Sequence, residues 1–332
     1  MRDLELLHHF TVFTSETMAT DSQHFELWRT HVPQMAFSNR FLLHGVLALS
    51  ALHIRYESSE QDKERLMSVA RYHQQHALTL YIPMLQAITE QNVDALFCFS
   101  LLLSCLCYAM LQAEDVNPHN AINQVLDVFD ALMGCTAIAV EGKDWLYNGR
   151  LRGILLALRP EEQDFTSLDY DTKCALSSLR RCVDSSLGGH ADEESAARHK
   201  AHHKAIWALA AVMATTPGQH QLSIVCSWPV MVEGEFISML KRRDPLALVI
   251  LGYYGVAMHL FGRVWCMEGL GRKLTEAIYQ ELDVRWQPYM IWAMNKVSQP
   301  ISQQATPSGW DGTPDPEGMY ANPGQHPMLG ME

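Results

Sequence analysis

Three histidines in one short segment are the residues of this sequence best suited to holding a metal ion. His199, His202 and His203 lie in RHKAHHKAIW, and His199 and His203 are one turn apart on a predicted helix. Two histidines at this spacing resemble half of a zinc site, but in H-E-x-x-H a carboxylate accompanies them. Here no carboxylate follows, and Lys200 and Lys204 add positive charge to the same surface. We therefore interpret the segment as a solvated, cationic helix face, and we predict no metal and no cofactor.

The cysteines are the second set of residues that could bind metal. No two of them are spaced C-x-x-C, and they are scattered through apolar segments with helical period. A cysteine in such a position behaves as a small core residue. We predict no zinc cluster in this sequence, and without a visible signal peptide the unpatterned thiols indicate a reducing compartment. The eight cysteines are Cys98, Cys105, Cys107, Cys135, Cys174, Cys182, Cys226 and Cys266.

Motifs that would indicate an enzyme are missing from the sequence. It contains no G-x-S-x-G nucleophile motif, no Gly-rich phosphate loop and no Rossmann fingerprint. Gly142-Lys143 lacks the rest of a phosphate-binding loop, and Gly269-x-Gly271 follows a predicted helix instead of a strand. We predict that the chain is not an enzyme.

Charge and hydropathy exclude two further classes of partner. The net charge of −12 argues against direct binding of nucleic acid, because phosphate contacts are made by clustered Lys and Arg. The densest basic run, Lys241-Arg242-Arg243, ends a predicted helix, where basic side chains complement the helix dipole. The uncharged stretch 95–111 is short for a membrane span and has acidic flanks, so we predict a buried core helix and no membrane span.

Helical periodicity runs through most of the chain, and hairpin signals of the Asn-Gly or Asp-Gly type are missing. The expected fold is all-α, with one domain over 1–298. The polar, acidic stretch 159–170 is either a boundary between halves 1–159 and 169–298 or a surface loop on that domain. Pro83 should kink or break its helix. We predict helices near 3–19, 22–37, 39–56, 61–88, 92–112, 119–133, 143–158, 169–187, 192–215, 229–242, 245–262, 265–283 and 287–297.

The C-terminal segment 299–332 differs in composition from the rest of the chain. It has six prolines and five glycines, it has no Lys or Arg, and it shows no periodicity. Such a segment buries too little apolar surface to fold, so we predict a disordered tail. Its dispersed aromatic and Met residues fit either a docking or activation segment or a solvated tail without a role.

Apolar volume near the C-terminal end offers the one candidate binding site. Asp244-Pro245 is a helix start, and the helix that follows is apolar on all sides, with glycines inserted in it and after it. Because glycine inside a helix costs about 1 kcal/mol, these glycines serve either close helix packing or a cavity for a flat apolar ligand. The predicted apolar site consists of Leu246, Val249, Ile250, Tyr253, Met258, Phe261, Trp265, Gly269 and Met290.

Five segments, taken in order, resemble the regulatory domain of fungal Zn(2)Cys(6) zinc-cluster transcription factors, in particular the subgroup that contains sterol uptake control proteins. The last of them is the Gly-punctuated, aromatic-rich stretch 244–297. The resemblance implies an all-α regulatory domain, a sterol in a C-terminal pocket and dimerisation with a related regulator. The other four segments are DLELLHHF at 3–10, HVPQMAFSNRFLLHGVLALSALHI at 31–54, ARYHQQHALTLYIPMLQAI at 70–88 and NVDALFCFSLLLSCLCYA at 92–109.

Together these observations predict a nuclear transcriptional regulator that senses an apolar, sterol-like ligand and contacts DNA through a partner chain, as a homodimer or heterodimer. The regulated pathway could be sterol homeostasis or secondary metabolism, and the protein could shuttle between nucleus and cytoplasm. Two alternatives stay open. The chain could be a lipid- or sterol-binding module without transcriptional output, or the product of a truncated gene whose upstream zinc cluster has been lost.

Overall fold

Helices form wherever the structure is described, as the periodicity predicts. The computed structural model describes residues 3–19, 25–114, 120–133, 136–157, 168–187, 193–214, 222–232, 234–261 and 264–300. Among these residues every regular element is helical, so the all-α prediction is confirmed for them. The predicted disorder of the tail concerns residues that, from 301 onward, lie outside the described part.

The N-terminal region begins with one helical segment that changes its pitch. Asp3–His9 is α-helical, Phe10–Thr14 is π-helical and Ser15–Thr17 is α-helical again. A second π-helical stretch, Leu27–His31, leads into Val32–Ser38. Pro33 lies in the first turn of that helix, directly after the π-helical stretch.

Three long helices follow. Arg40–Glu57 packs against Glu60–Met84 along its length, and both adjoin Val93–Ala113. Glu60–Met84 ends one residue after Pro83, so the predicted break at this proline is confirmed. The remaining elements are Ala121–Met133, Thr136–Glu141, Lys143–Asn148, Arg152–Ala157, Tyr170–Leu187, Glu193–Met213, Leu222–Met231, Gly234–Lys241, Pro245–Leu260, the 3-10 turn Trp265–Met267, Leu270–Glu281, the 3-10 turn Gln287–Met290 and Ile291–Ser298.

Two apolar helices from distant parts of the sequence meet in the core. Tyr108 of Val93–Ala113 and Tyr254 of Pro245–Leu260 are fully buried, and their hydroxyl oxygens lie 2.7 Å apart. Tyr254 Oη donates to the carbonyl oxygen of Val225 at 3.0 Å, so the hydroxyl of Tyr108 donates to Tyr254. These contacts join the two predicted halves, and the structure groups Met1–Ile301 as one compact unit.

Val93–Ala113 is the helix, among those described, that is long and apolar enough to cross a membrane. Of the residues in its apolar window, 89% are buried inside the protein. A core helix has this property, because its apolar surface is covered by other helices of the same chain.

Several predicted helices are interrupted. The predicted helix 265–283 consists of a 3-10 turn, a left-handed residue at Gly269 and the helix Leu270–Glu281. The prediction of a helix start at 229 was wrong, because Pro229 lies near the end of Leu222–Met231 and a separate helix, Gly234–Lys241, follows.

The basic run 241–243 is used within the fold. Lys241 pairs with Asp130 at 2.7 Å, Arg242 with Glu235 at 3.1 Å and Arg243 with Glu281 at 2.9 Å. The helix before it ends at Lys241, as predicted, within one residue.

Candidate functional site

The helix that carries most of the predicted apolar site begins where the local sequence indicates. Oδ1 of Asp244 accepts hydrogen bonds from the backbone N–H groups of Leu246 and Ala247, at 3.1 Å and 3.0 Å. Pro245 is the first residue of the helix. The cap satisfies two backbone donors that a helix start leaves without partners, and the predicted helix boundary is confirmed.

Three glycines of the region let helices approach closely. A Cβ placed on Gly252 would lie 2.7 Å from Sδ of Met290, whose side chain fills the notch left by this glycine. A Cβ on Gly255 would lie 2.9 Å from the carbonyl oxygen of Gly271, and a Cβ on Gly271 would lie 2.9 Å from Cα of His259. Pro245–Leu260 and Leu270–Glu281 therefore pack backbone against backbone, which is the first of the two roles considered for these residues.

Gly269 has a different role from its neighbours. Its φ is +75°, it precedes the first residue of Leu270–Glu281, and no atom lies within 4 Å of a Cβ placed on it. The residue is at the surface. The left-handed backbone conformation favours glycine at this position, because residues with a side chain are strained at this φ. Gly269 thus does not face the buried residues of the predicted apolar site.

The other residues of the predicted apolar site are all buried. Tyr253 stacks on Trp292 at a centroid distance of 4.9 Å and donates a hydrogen bond to the carbonyl oxygen of Tyr289. Met290, from the adjoining 3-10 turn, packs at Gly252 on the same helix as Tyr253. The structure therefore brings Tyr253 and Met290 to one region, and a ligand cavity among these residues stays a prediction.

Trp265 of the predicted site faces the N-terminal helices. Its Nε1 donates to Oγ1 of Thr17 at 3.1 Å, and its ring stacks on His53 at 4.8 Å. His53 is also in contact with Oγ1 of Thr14, at 3.0 Å from its Nδ1. Burial, helped by the nearby ring of His9, lowers the pKa of His53 to about 4, so the ring is neutral at physiological pH.

A groove of about 1100 Å³ lies between Tyr170–Leu187 and Glu193–Met213. Apolar side chains of both helices form part of its wall, and four cations lie among them. This combination suits a ligand with an apolar body and an anionic group. The groove is lined by Leu168, Lys173, Leu176, Ser177, Arg180, Asp184, His199, Lys200, His203, Lys204, Ile206, Trp207 and Ala210.

At one part of this groove the structure brings two of the sequence-predicted histidines to a carboxylate. Oδ1 of Asp184 lies 3.0 Å from Nε2 of His199 and 2.7 Å from Nε2 of His203, and the two nitrogens are 3.1 Å apart. Hydrogen bonds from His199 and His203 lower the pKa of Asp184. Asp184 could not be recognised from the sequence, because it lies on Tyr170–Leu187 and the histidines lie on the next helix. The one sequence signal was an acidic residue near the end of the neighbouring predicted helix.

The third histidine of the segment lies apart from this cluster. His202 is fully buried, its Nδ1 donates to the carbonyl oxygen of Arg198 at 2.7 Å, and its Nε2 is 3.6 Å from Oδ1 of Asp244. Arg198 donates from Nη2 to Oδ2 of Asp244 at 2.7 Å. Burial by itself would raise the pKa of Asp244, but His202, the amide of Ala247 and Arg198 outweigh it and lower the pKa to about 2. This network joins Glu193–Met213 to the cap of Pro245–Leu260.

The described cysteines follow the core interpretation with two departures. Cys174 is exposed and Cys107 is half-buried. Cys135 lies outside the described residues. The buried cysteines are Cys98, Cys105, Cys182, Cys226 and Cys266.

Comparison with known proteins finds similarity to fungal transcription factors. Residues 5–137 match the family described as the fungal specific transcription factor domain. The chain is 24% identical over 317 residues to a Zn(2)-C6 fungal-type transcription factor of Gibberella zeae, across 88% of this chain and 61% of that protein. It is 29% identical over 266 residues to the Zn(2)-C6 fungal-type transcription factor afumD of Aspergillus fumigatus, across 74% of this chain and 65% of that protein.

A shorter similarity concerns sterol uptake control protein 2 of Saccharomyces cerevisiae. The chain is 34% identical to it over 102 residues, which are 30% of this chain and 11% of that protein. The chain thus spans less than two thirds of the length of each of these three relatives. Residues 5–137 thus resemble the fungal specific transcription factor domain, and the predicted resemblance to Zn(2)-C6 regulators, sterol uptake control proteins among them, is confirmed.

Proposed function

We propose that this chain is the regulatory region of a transcriptional regulator, acting in the nucleus. The observation that carries the proposal is the family match over residues 5–137 together with two long similarities to proteins named as transcription factors. The sequence has no C-x-x-C pair and a net charge of −12. We therefore assign DNA contact to a partner chain or to another part of a longer protein. The chain performs no catalysis in this proposal.

The regulatory signal in this proposal is an apolar, sterol-like ligand bound at the predicted apolar site. Sterol uptake control protein 2 supports the ligand class by its name alone. The packing of Met290 against Gly252 supports the place, because a flexible thioether side chain fills a notch in an otherwise rigid helix pair. A ligand enters this space by displacing the side chain of Met290.

The ligand site is tested by emptying the notch. Met290→Ala removes a fully buried side chain and should cost about 2–5 kcal/mol of unfolding free energy. An apolar ligand that places one end in this cavity fills it and raises the unfolding temperature by mass action. Thermal scans with ergosterol, cholesterol and oleate should show a larger ligand-dependent shift for Met290→Ala than for the unmodified chain.

Met239→Ala is the matched control, since Met239 is equally buried but lies on Gly234–Lys241. It should be destabilised to a similar extent and should show the same ligand shift as the unmodified chain. If no ligand shifts the unfolding temperature of either the unmodified chain or Met290→Ala, the apolar site is wrong. If Met239→Ala is rescued as well as Met290→Ala, binding is non-specific.

Transcriptional output is tested separately from ligand binding. The chain is fused to a heterologous DNA-binding domain and expressed in yeast with a reporter gene, and reporter activity is expected to change with sterol supply. A silent reporter combined with a ligand-dependent thermal shift would favour the alternative function, a lipid- or sterol-binding module without transcriptional output.

Association with a related regulator completes the proposal. We propose a dimer of this chain with itself or with a related chain, because the resemblance implies dimerisation. Sedimentation of the purified chain over a wide concentration range should give a mass above that of the 37.6 kDa monomer. A strictly monomeric mass would exclude the homodimer and leave the heterodimer to be tested by co-expression with the related regulator.

A further inference from the structure

Asp184, His199 and His203 form a cluster whose ligand atoms converge on one point. The three atoms Oδ1, Nε2 and Nε2 all lie within 4.8 Å of one another. His199 and His203 are four residues apart and therefore lie on one face of Glu193–Met213. Asp184 reaches them from Tyr170–Leu187. We propose that these three side chains bind one divalent cation of the zinc class.

The separations between the three atoms fit such an ion. They are 3.0 Å, 2.7 Å and 3.1 Å. A tetrahedral zinc ion with bonds of about 2.0–2.1 Å holds its ligand atoms about 3.3 Å apart. The three separations therefore need to lengthen by about 0.2–0.6 Å to reach this value. Rotation of partly exposed side chains supplies this movement without any shift of the helix backbones.

The donor set is chemically appropriate for zinc over a harder cation. Two imidazole nitrogens and one carboxylate oxygen are common zinc ligands, whereas calcium and magnesium prefer oxygen alone. Three protein ligands leave one coordination position. Because all three residues line the groove, that position is accessible from it.

Nearby lysines oppose a cation, and the structure shows what offsets them. Lys200 and Lys204 lie on the same helix and line the same groove, as do Lys173 and Arg180 of the facing helix. From the sequence we predict no metal here, partly because of Lys200 and Lys204 and partly because no carboxylate follows the histidines as in H-E-x-x-H. Asp184 now supplies the negative charge in direct contact with both nitrogens. The strongest electrostatic interaction of a bound ion is with Asp184, at bond distance. Lys200 and Lys204 are exposed residues, so solvent screens their repulsion of the ion.

The test is zinc binding by the full chain after treatment with a chelator. Equilibrium dialysis against zinc chloride should give one tightly bound ion per chain, and cobalt(II) substitution should give the intense visible absorption of a tetrahedral site. Zinc should also raise the unfolding temperature, because the ion ties two helices together. Asp184→Asn and His203→Gln should each weaken zinc binding by at least about tenfold. Mutation of residues that only hydrogen-bond to metal ligands already lowers metal affinity by about 10–100-fold.

His76→Gln is the matched control, because His76 is an exposed histidine on Glu60–Met84 with its Nδ1 close to a backbone carbonyl of its own helix. It should bind zinc as the unmodified chain does. The variants at the cluster should unfold at nearly the same temperature as the unmodified chain in the presence of chelator, since the replaced side chains are partly exposed.

Three results would overturn the proposal. One is the absence of stoichiometric zinc from the unmodified chain. A second is undiminished binding by Asp184→Asn and His203→Gln, which would place the ion at other side chains. The third is a loss of stability in these variants that is the same with and without zinc, which would mean that the cluster only joins the helices.

Discussion

Replacing Asp244 separates two contributions of one carboxylate to stability. Its Oδ1 caps the helix Pro245–Leu260, and its Oδ2 is in an ion pair with Arg198 at 2.7 Å. Asp244→Asn keeps an oxygen that accepts the cap hydrogen bonds but removes the charge, because Asn and Asp are about equally good at this position. Asp244→Ala removes both.

The magnitude follows from the pKa of the carboxyl group. It is lowered from 3.8 to about 2, and each unit corresponds to about 1.4 kcal/mol, so the charged form contributes roughly 2–3 kcal/mol. The side chain is only 16% exposed, so solvent screening reduces this value little. We expect Asp244→Asn to lose about 2 kcal/mol at pH 7. Loss of the cap adds about 1 kcal/mol, so Asp244→Ala should lose about 3 kcal/mol.

The same contribution has a defined pH dependence. A carboxyl group with a lowered pKa in the folded state stabilises the protein above its unfolded pKa, near 4, and this stabilisation is lost as the pH falls through about 2. The unmodified chain should therefore lose stability between pH 4 and pH 2, and Asp244→Asn should lack this part of the loss.

Urea unfolding followed by circular dichroism measures both effects. Glu276→Gln is the control, because its ion pair with Arg272 is at the surface, where solvent screening leaves such a pair little effect on stability. If Asp244→Asn is as stable as the unmodified chain at pH 7 and has the same acid profile, Arg198 and His202 do not stabilise the fold through this carboxylate. Equal stability of the Asn and Ala variants would show that the cap contributes nothing.

Three further predictions concern packing, buried hydroxyl groups and a buried histidine. Gly271→Ala should lose about 3 kcal/mol of unfolding free energy in urea, because the added Cβ would meet backbone atoms of the facing helix. Gly153→Ala is the control: its added Cβ has no atom within 4 Å, so this variant should gain about 0.5 kcal/mol. Equal effects of the two substitutions would refute the packing argument. Tyr254→Phe should lose about 2–3 kcal/mol and Tyr108→Phe about 1 kcal/mol, because the hydroxyl of Tyr254 both donates and accepts; the opposite ranking in thermal unfolding would contradict the assigned donors. The pKa of His53 is lowered to about 4, so between about pH 6.5 and pH 4 only the unfolded chain takes up this proton. The unfolding free energy should therefore fall as the pH drops through this range, and it should fall less for His53→Gln. A pH profile of His53→Gln identical to that of the unmodified chain would contradict this prediction.

Much of the fold could be predicted because its determinants lie close together in the chain. The cap at Asp244 uses an acceptor, a proline and two backbone amides within four residues, so it could be recognised from the sequence. The all-round apolar pattern of Val93–Ala113 and Pro245–Leu260 likewise indicated burial on several sides, and both helices are buried. Helix ends were less accurate where a break depends on one backbone angle, as at Gly269.

The candidate site could be predicted only in composition. The sequence showed glycines at helix positions where glycine is unfavourable, namely Gly252, Gly255 and Gly271. It did not show what occupies the space beside them, which is filled by Met290, Thr275 and the facing backbone. It treated Gly269 as one of the same group, although its backbone conformation and exposure set it apart.

Tertiary structure alone decided which side chains meet. Histidines 199 and 203 share a helix face by their spacing, but Asp184 joins them only because two helices pack at one particular rotation and offset. Tyr108 and Tyr254 are separated by 146 residues and meet in the same way. Local hydrogen bonding and periodic burial determine that a helix forms and which side is apolar, because both act within a few turns. The rotation of one helix against another depends on the combined shape of many side chains across the interface, and no local spacing in the sequence records it.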